Sequence, residues 1–102
     1  MIMKPLGYQQ ADITAGAVFT PTVPLGANFA LVQAQTHELI YRSDGVDPSN
    51  GPPKLGHYLW YPGGGAGGYN LLEFDGDLSK LRLLNEDPPS TCIIGISYYK
   101  KG

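Results

Sequence analysis

The side chains able to do chemistry are few, and their spacing works against it. The chain holds two histidines, His37 and His57, far apart in sequence. A cupin-type metal centre on a β framework wants two histidines one residue apart, a carboxylate soon after and a later histidine. Without a His-x-His pair, both histidines are expected to be surface or hydrogen-bonded groups. Asp75-Gly76-Asp77 and Asp44-Gly45-Val46-Asp47 look like pieces of calcium loops. A full loop needs about twelve residues, with glycine at the sixth and glutamate at the last. Neither segment supplies that set, and Asx-turns between strands account for both. The nine acidic residues always yield some pair, so spacing singles out no general acid and base. Cys92 is the one cysteine. It excludes an intrachain disulfide. Inside Thr91-Cys92-Ile93-Ile94, with no cation beside it to lower its pKa, it is expected to be a small buried hydrophobe. No catalytic residue, metal or cofactor is expected, and the chain does not read as an enzyme.

Glycine and aromatic residues leave more room for a binding role. The run from Gly63 to Gly68 lacks the Gly-Lys-Ser/Thr ending and following helix of a phosphate loop. It reads as a flexible arm, residues 62–68, free to order against a neighbour. Tyr58, Trp60, Tyr61 and Tyr69 flank it. Strand alternation puts Tyr58 and Trp60 on one face and Tyr61 on the other. Trp60 is expected in the core, while Tyr61 and Tyr69, beside the arm, are candidates for partner contact.

The elements that must position these groups are strands. Charged residues make up only 16% of the 102, while glycine (14) and proline (9) are abundant, a composition that favours short strands and tight turns over helices. Residues 5–12 can pair as an edge strand, and residues 17–20 form a short β-prone run. Residues 27–34 alternate, with Phe29, Leu31 and Gln33 on one side and Ala30, Val32 and Ala34 on the other. Gln35-Thr36 reads as a tight turn into residues 37–42, making an antiparallel hairpin. Residues 43–55 form a proline- and glycine-rich loop, of the irregular kind that usually serves function. Residues 57–61 and 69–74 are further strands. Asp75-Gly76-Asp77 turns the chain into residues 78–84, where Asp77 can cap one helical turn at most. Residues 91–99 form the last strand. The expectation is all-β: a single β-sandwich, jelly-roll-like, of about seven to eight short antiparallel strands over residues 1–102.

The net charge of −2 and the scatter of the basic residues exclude direct nucleic-acid binding. No segment approaches the roughly 20 apolar residues of a membrane helix, and no signal-peptide stretch opens the chain. Synthesis in a cytosol is the expectation, with low charge favouring an assembled protein.

Three segments carry a resemblance. They are Gly26-Ala27-Asn28-Phe29-Ala30-Leu31-Val32-Gln33-Ala34, then Tyr41-Arg42-Ser43-Asp44-Gly45-Val46-Asp47-Pro48, then Gly76-Asp77-Leu78-Ser79-Lys80-Leu81-Arg82 with Ile96-Ser97-Tyr98-Tyr99. In this order they resemble a group of small structural proteins of tailed bacteriophages. Those carry a Gly-Ala-x-x-Ala-Leu-x-Gln-Ala strand, an Arg-x-Asp-Gly-x-x-Pro loop, a Gly-Asp-Leu-Ser turn and a Ser-Tyr-Tyr end. The glycine-rich segment 62–68 departs from the group. The resemblance implies a β-sandwich virion component without enzymatic activity, made in a host bacterial cytoplasm.

The leading expectation is a capsid decoration, or cement, protein on the head surface. It would bind the major capsid protein as a homo-oligomer, a trimer at threefold positions, and stabilise capsomer junctions. Candidate contacts are Pro5 and Tyr8 in the N-terminal segment 1–16, Asp44, Val46, Asp47 and Pro48 in the long loop, and Tyr61 and Tyr69 at the arm. A neck or tail adaptor, or a fibre-associated protein, is the second reading. A carbohydrate-binding module built on Trp60 and the tyrosines is the third.

Overall fold

Alternating apolar residues bounded by glycine, proline and Asx turns give the described residues eight strands and one helical turn. The computed structural model describes residues 3–36, 38–49, 51, 55–59, 71–85 and 90–102. The strands are β1 (Met3–Ile13), β2 (Val18–Phe19), β3 (Phe29–Ala34), β4 (Leu39–Arg42), β5 (His57–Leu59), β6 (Leu72–Asp75), β7 (Arg82–Leu84) and β8 (Cys92–Lys101), with a 3-10 turn at Leu78–Lys80. They form two four-stranded antiparallel sheets, ordered β1-β8-β3-β6 and β2-β7-β4-β5. The first strand pairs with the last, the second with the seventh, the third with the sixth and the fourth with the fifth. One long hairpin has been rolled up, and the pairings β3-β8 and β4-β7 close the roll. This is the jelly-roll connection, two Greek keys in a sandwich.

The core follows from period-two alternation. Ala30, Val32 and Ala34 of β3 and Cys92, Ile94, Ile96 and Tyr98 of β8 point inward. Leu39, Leu59 and Leu83 meet them from the second sheet, and Leu78 and Leu81 close the side through the 3-10 turn. Each buried valine, leucine or isoleucine side chain contributes about 1.5–3 kcal/mol of transfer free energy. Cys92 is a fully buried thiol, as expected.

Two expectations need correction. Residues 27–34 and 37–42 do not form a hairpin with each other. β3 lies in one sheet, paired with β6 and β8, and β4 lies in the other, paired with β5 and β7. A two-residue hairpin turn needs positive φ at its centre, and no non-glycine residue described here has it. The chain crosses between the sheets after β3. Gln35 N–H donates to the Ile93 carbonyl (2.7 Å), and Thr36 Oγ1 accepts from Ile93 N–H (3.1 Å). Likewise, Asp75-Gly76-Asp77 does not fold residues 78–84 back onto β6. It leads through the 3-10 turn, which Asp77 caps, to β7 in the opposite sheet.

Candidate functional site

Antiparallel strands place their connections alternately at two ends of the sandwich. The connections after β2, β4 and β6 gather at the end where β1 starts and β8 stops. Asn28 ties the connections after β2 and β6 to the end of β8 there. Its side chain donates to the Lys101 carbonyl (3.0 Å) and accepts from Lys101 N–H (2.7 Å), while its own carbonyl accepts from Gly76 N–H (3.1 Å). β5 stops and β6 starts at the opposite end.

The first of these ends displays apolar side chains on braced loops. Pro24-Leu25-Gly26-Ala27 is a turn closed by Ala27 N–H to the Pro24 carbonyl (3.1 Å), with Gly26 at φ +88°. That positive φ at the third position defines a type II turn, which glycine accepts without strain. Leu25 at its tip is 100% exposed. The loop after β4 is held by a fork. Asp44 Oδ1 accepts from Arg42 Nε (3.0 Å) and from Val46 N–H (3.3 Å), and Arg42 Nη2 donates to the second carboxylate oxygen. The Arg42 hydrogen bond holds the Asp44 carboxyl below its usual range, and the same bond raises the guanidinium pKa. Gly45 N–H donates to the Lys80 carbonyl (2.9 Å), and Asp47 lies 3.8 Å from Arg82. Ser49 and Leu55 exchange backbone hydrogen bonds at 3.0 and 2.9 Å, pinching the loop. Val46, 51% exposed, is thereby presented on a fixed support. Met3 and Leu55 are further exposed apolar side chains at this end.

Beside the fork lies a shallow hollow of about 380 Å³ lined by Arg42, Ser43, Asp44, Leu55, Gly56 and His57. Its Arg42 guanidinium is already paired with Asp44, and the His57 ring tilts against Tyr41 at 5.6 Å. The hollow offers shape more than charge. Among the described residues no three metal-ligating side chains converge. Asp75 is paired with Lys101, and Asp77 Oδ1 accepts from Ser79 N–H (3.1 Å) and Ser79 Oγ (2.5 Å). Those hydrogen bonds hold the Asp77 carboxyl below its usual range.

Pro5 and Tyr8 sit elsewhere, on β1 at the edge of the first sheet, and both are exposed. The Tyr8 ring lies over Gly95 of β8, where a Cβ would come within 2.5 Å of the phenol oxygen. Gln35 Nε2 reaches that oxygen at 3.4 Å. On the same outer face Phe29 and Tyr99 meet edge to face at 6.1 Å, with the Lys101 ammonium 5.6 Å from the Phe29 ring centre.

The candidates drawn from sequence therefore divide. Asp44, Val46 and Asp47 converge at one end, where Pro48 is buried and supports the loop from inside. Pro5 and Tyr8 share the sheet edge. Tyr61 and Tyr69, together with Trp60, His37 and the arm at 62–68, lie outside the described residues. Leu25 was missed, although an apolar residue between proline and glycine in a turn is the pattern that would have found it. Comparisons of the chain with family models, curated proteins and solved structures find no match.

Proposed function

We propose that the protein is a bacteriophage virion structural protein, a capsid decoration protein that binds the outside of the head and stabilises capsomer junctions. One observation carries the reading. Four exposed apolar side chains stand at one end of a jelly roll: Met3 at the start of β1, and Leu25, Val46 and Leu55 on connections fixed by hydrogen bonds. Exposed apolar groups on rigid supports suit protein contact, because little ordering entropy opposes it. A shell under internal pressure fails at capsomer junctions. Small domains docked across them add buried area, and multiple attachment multiplies weak contacts. The segment resemblances to tailed-phage structural proteins support the same assignment, and the low charge suits a protein held in an assembly. The protein acts without catalysis, and its partner is the major capsid protein.

The test is occupancy. Purified protein is added to phage heads that lack it and sedimented with them. Wild type should pellet with the heads, and a Leu25→Ser/Val46→Ser double variant should lose about tenfold or more in affinity, since central apolar contacts dominate interfaces. Equal binding by the variant, with its fold intact by circular dichroism, would remove this end as the docking surface. Binding to tails in place of heads would move the protein to the neck or tail.

A further inference from the structure

Four strands form the edges of the two sheets. β2, β5 and β6 are short, at two, three and four residues, whereas β1 runs for 11. Short edges are a common protection against unwanted pairing, and a long one is an invitation to it. The first part of β1 is guarded by Pro5 and by a register irregularity between Pro5 and Gly7. From Gly7 to Ile13 the strand is regular, pairs with β8 from Tyr98 to Cys92, and holds no proline.

The direction of its free backbone groups follows from the ladder. Gln35 N–H donates to the Ile93 carbonyl, so Ile93, Gly95 and Ser97 turn their backbone polar groups toward β3. Ile94, Ile96 and Tyr98 then turn theirs toward Ala11, Gln9 and Gly7 of β1. By the same alternation Tyr8, Gln10 and Asp12 direct N–H and C=O away from the sheet. All three residues are exposed.

We propose that this edge pairs with the β1 edge of a second copy of the chain, antiparallel and centred on Gln10, joining two sheets into one of eight strands. The occupant is a second copy because the register is self-complementary. Centring on Gln10 puts Gln10 opposite its own equivalent and Tyr8 opposite Asp12 of the other copy, so all three outward-turned residues meet outward-turned residues. About six backbone hydrogen bonds form. Asp12 is the one charge in the regular stretch and meets an uncharged residue, so no like charges oppose each other. The contact is isologous and closes at two copies, so the unit in solution is a dimer where the sequence leads one to expect a trimer. It uses neither Leu25 nor Val46, and it stands apart from the proposed role on the phage head.

Sedimentation equilibrium of the purified chain tests it. The expected mass is twice the 11.0 kDa of one chain. Gln10→Lys and Gln10→Glu each place like charges across the twofold axis and should weaken the dimer by about tenfold or more. Both substitutions are on an exposed side chain, so the fold should persist by circular dichroism. An equimolar mixture of the two variants should recover the dimer mass. A monomer for wild type across a wide concentration range, a trimer, or a dimer indifferent to both variants would each overturn the proposal. So would a failure of the mixture to re-associate.

Discussion

Asn85 is wholly buried, and its side-chain amide donates to the carbonyls of Ile13 and Ser90, each at 2.8 Å. Its backbone joins the connection after β1 through Gly16 N–H (2.7 Å) and the Ala17 carbonyl (3.2 Å). One polar residue thus ties the end of β1 to the ends of β7 and the start of β8. Asn85→Ala would strand buried carbonyls and should cost about 2–3 kcal/mol in denaturant unfolding. In sequence Asn85 falls between residues 78–84 and the last strand at 91–99, and nothing in its neighbours signals that this amide is drawn inside. Tyr98 is a second such residue. Its ring is in the core, its hydroxyl donates to Gln9 Oε1 at 2.8 Å, and that oxygen also accepts from Thr22 N–H at 3.2 Å. Burial pushes the Tyr98 phenol up to about 12. A folded pKa above the unfolded value means the folded state holds the proton longer. The resulting stability is complete below about pH 10 and is lost as pH rises toward 12, by roughly 3 kcal/mol at most. Unfolding midpoints measured from pH 9 to 12 should fall in that window, and Tyr98→Phe should flatten the fall.

Alternation made the individual strands readable. Ala30, Val32 and Ala34 were separable from Phe29, Leu31 and Gln33, and the structure turns the first set inward. The Asp77 cap was readable too, because Asp followed by Leu-Ser-Lys has a local meaning that packing does not change. Asp77→Ala should loosen that turn and lower the melting temperature at neutral pH. The Asp77 carboxyl is held below its usual range, so its contribution is present above about pH 4 and fades as acid titrates it. The gap between wild type and variant should narrow in acid. What could not be read was which sheet each strand joins. β3 and β4 look like hairpin partners because they adjoin in sequence. The crossing between sheets rests on the Thr36 and Gln35 hydrogen bonds to a residue nearly sixty positions away, and periodicity within a strand holds no record of them. The outward-turned groups of β1 were hidden for the same reason, since they depend on its partner β8.

Over the whole molecule, the rolled hairpin separates two surfaces. One end carries Leu25 and Val46 on fixed loops, and the long edge of the first sheet carries Tyr8, Gln10 and Asp12. In an antiparallel dimer joined at that edge the two apolar ends point in opposite directions, so one copy of each pair docks on a given shell surface and the other stands away from it. Heads carrying the protein should withstand heating or loss of divalent cations better than heads without it, and adding the purified chain back should restore the difference.

The most direct measurement of the proposed role is the number of copies per purified phage particle, by quantitative mass spectrometry against the major capsid protein. A decoration protein should be present at roughly one copy per major capsid subunit, following shell symmetry. Absence from particles, or a ratio of a few per hundred as ring symmetry at a neck or tail would give, would contradict it.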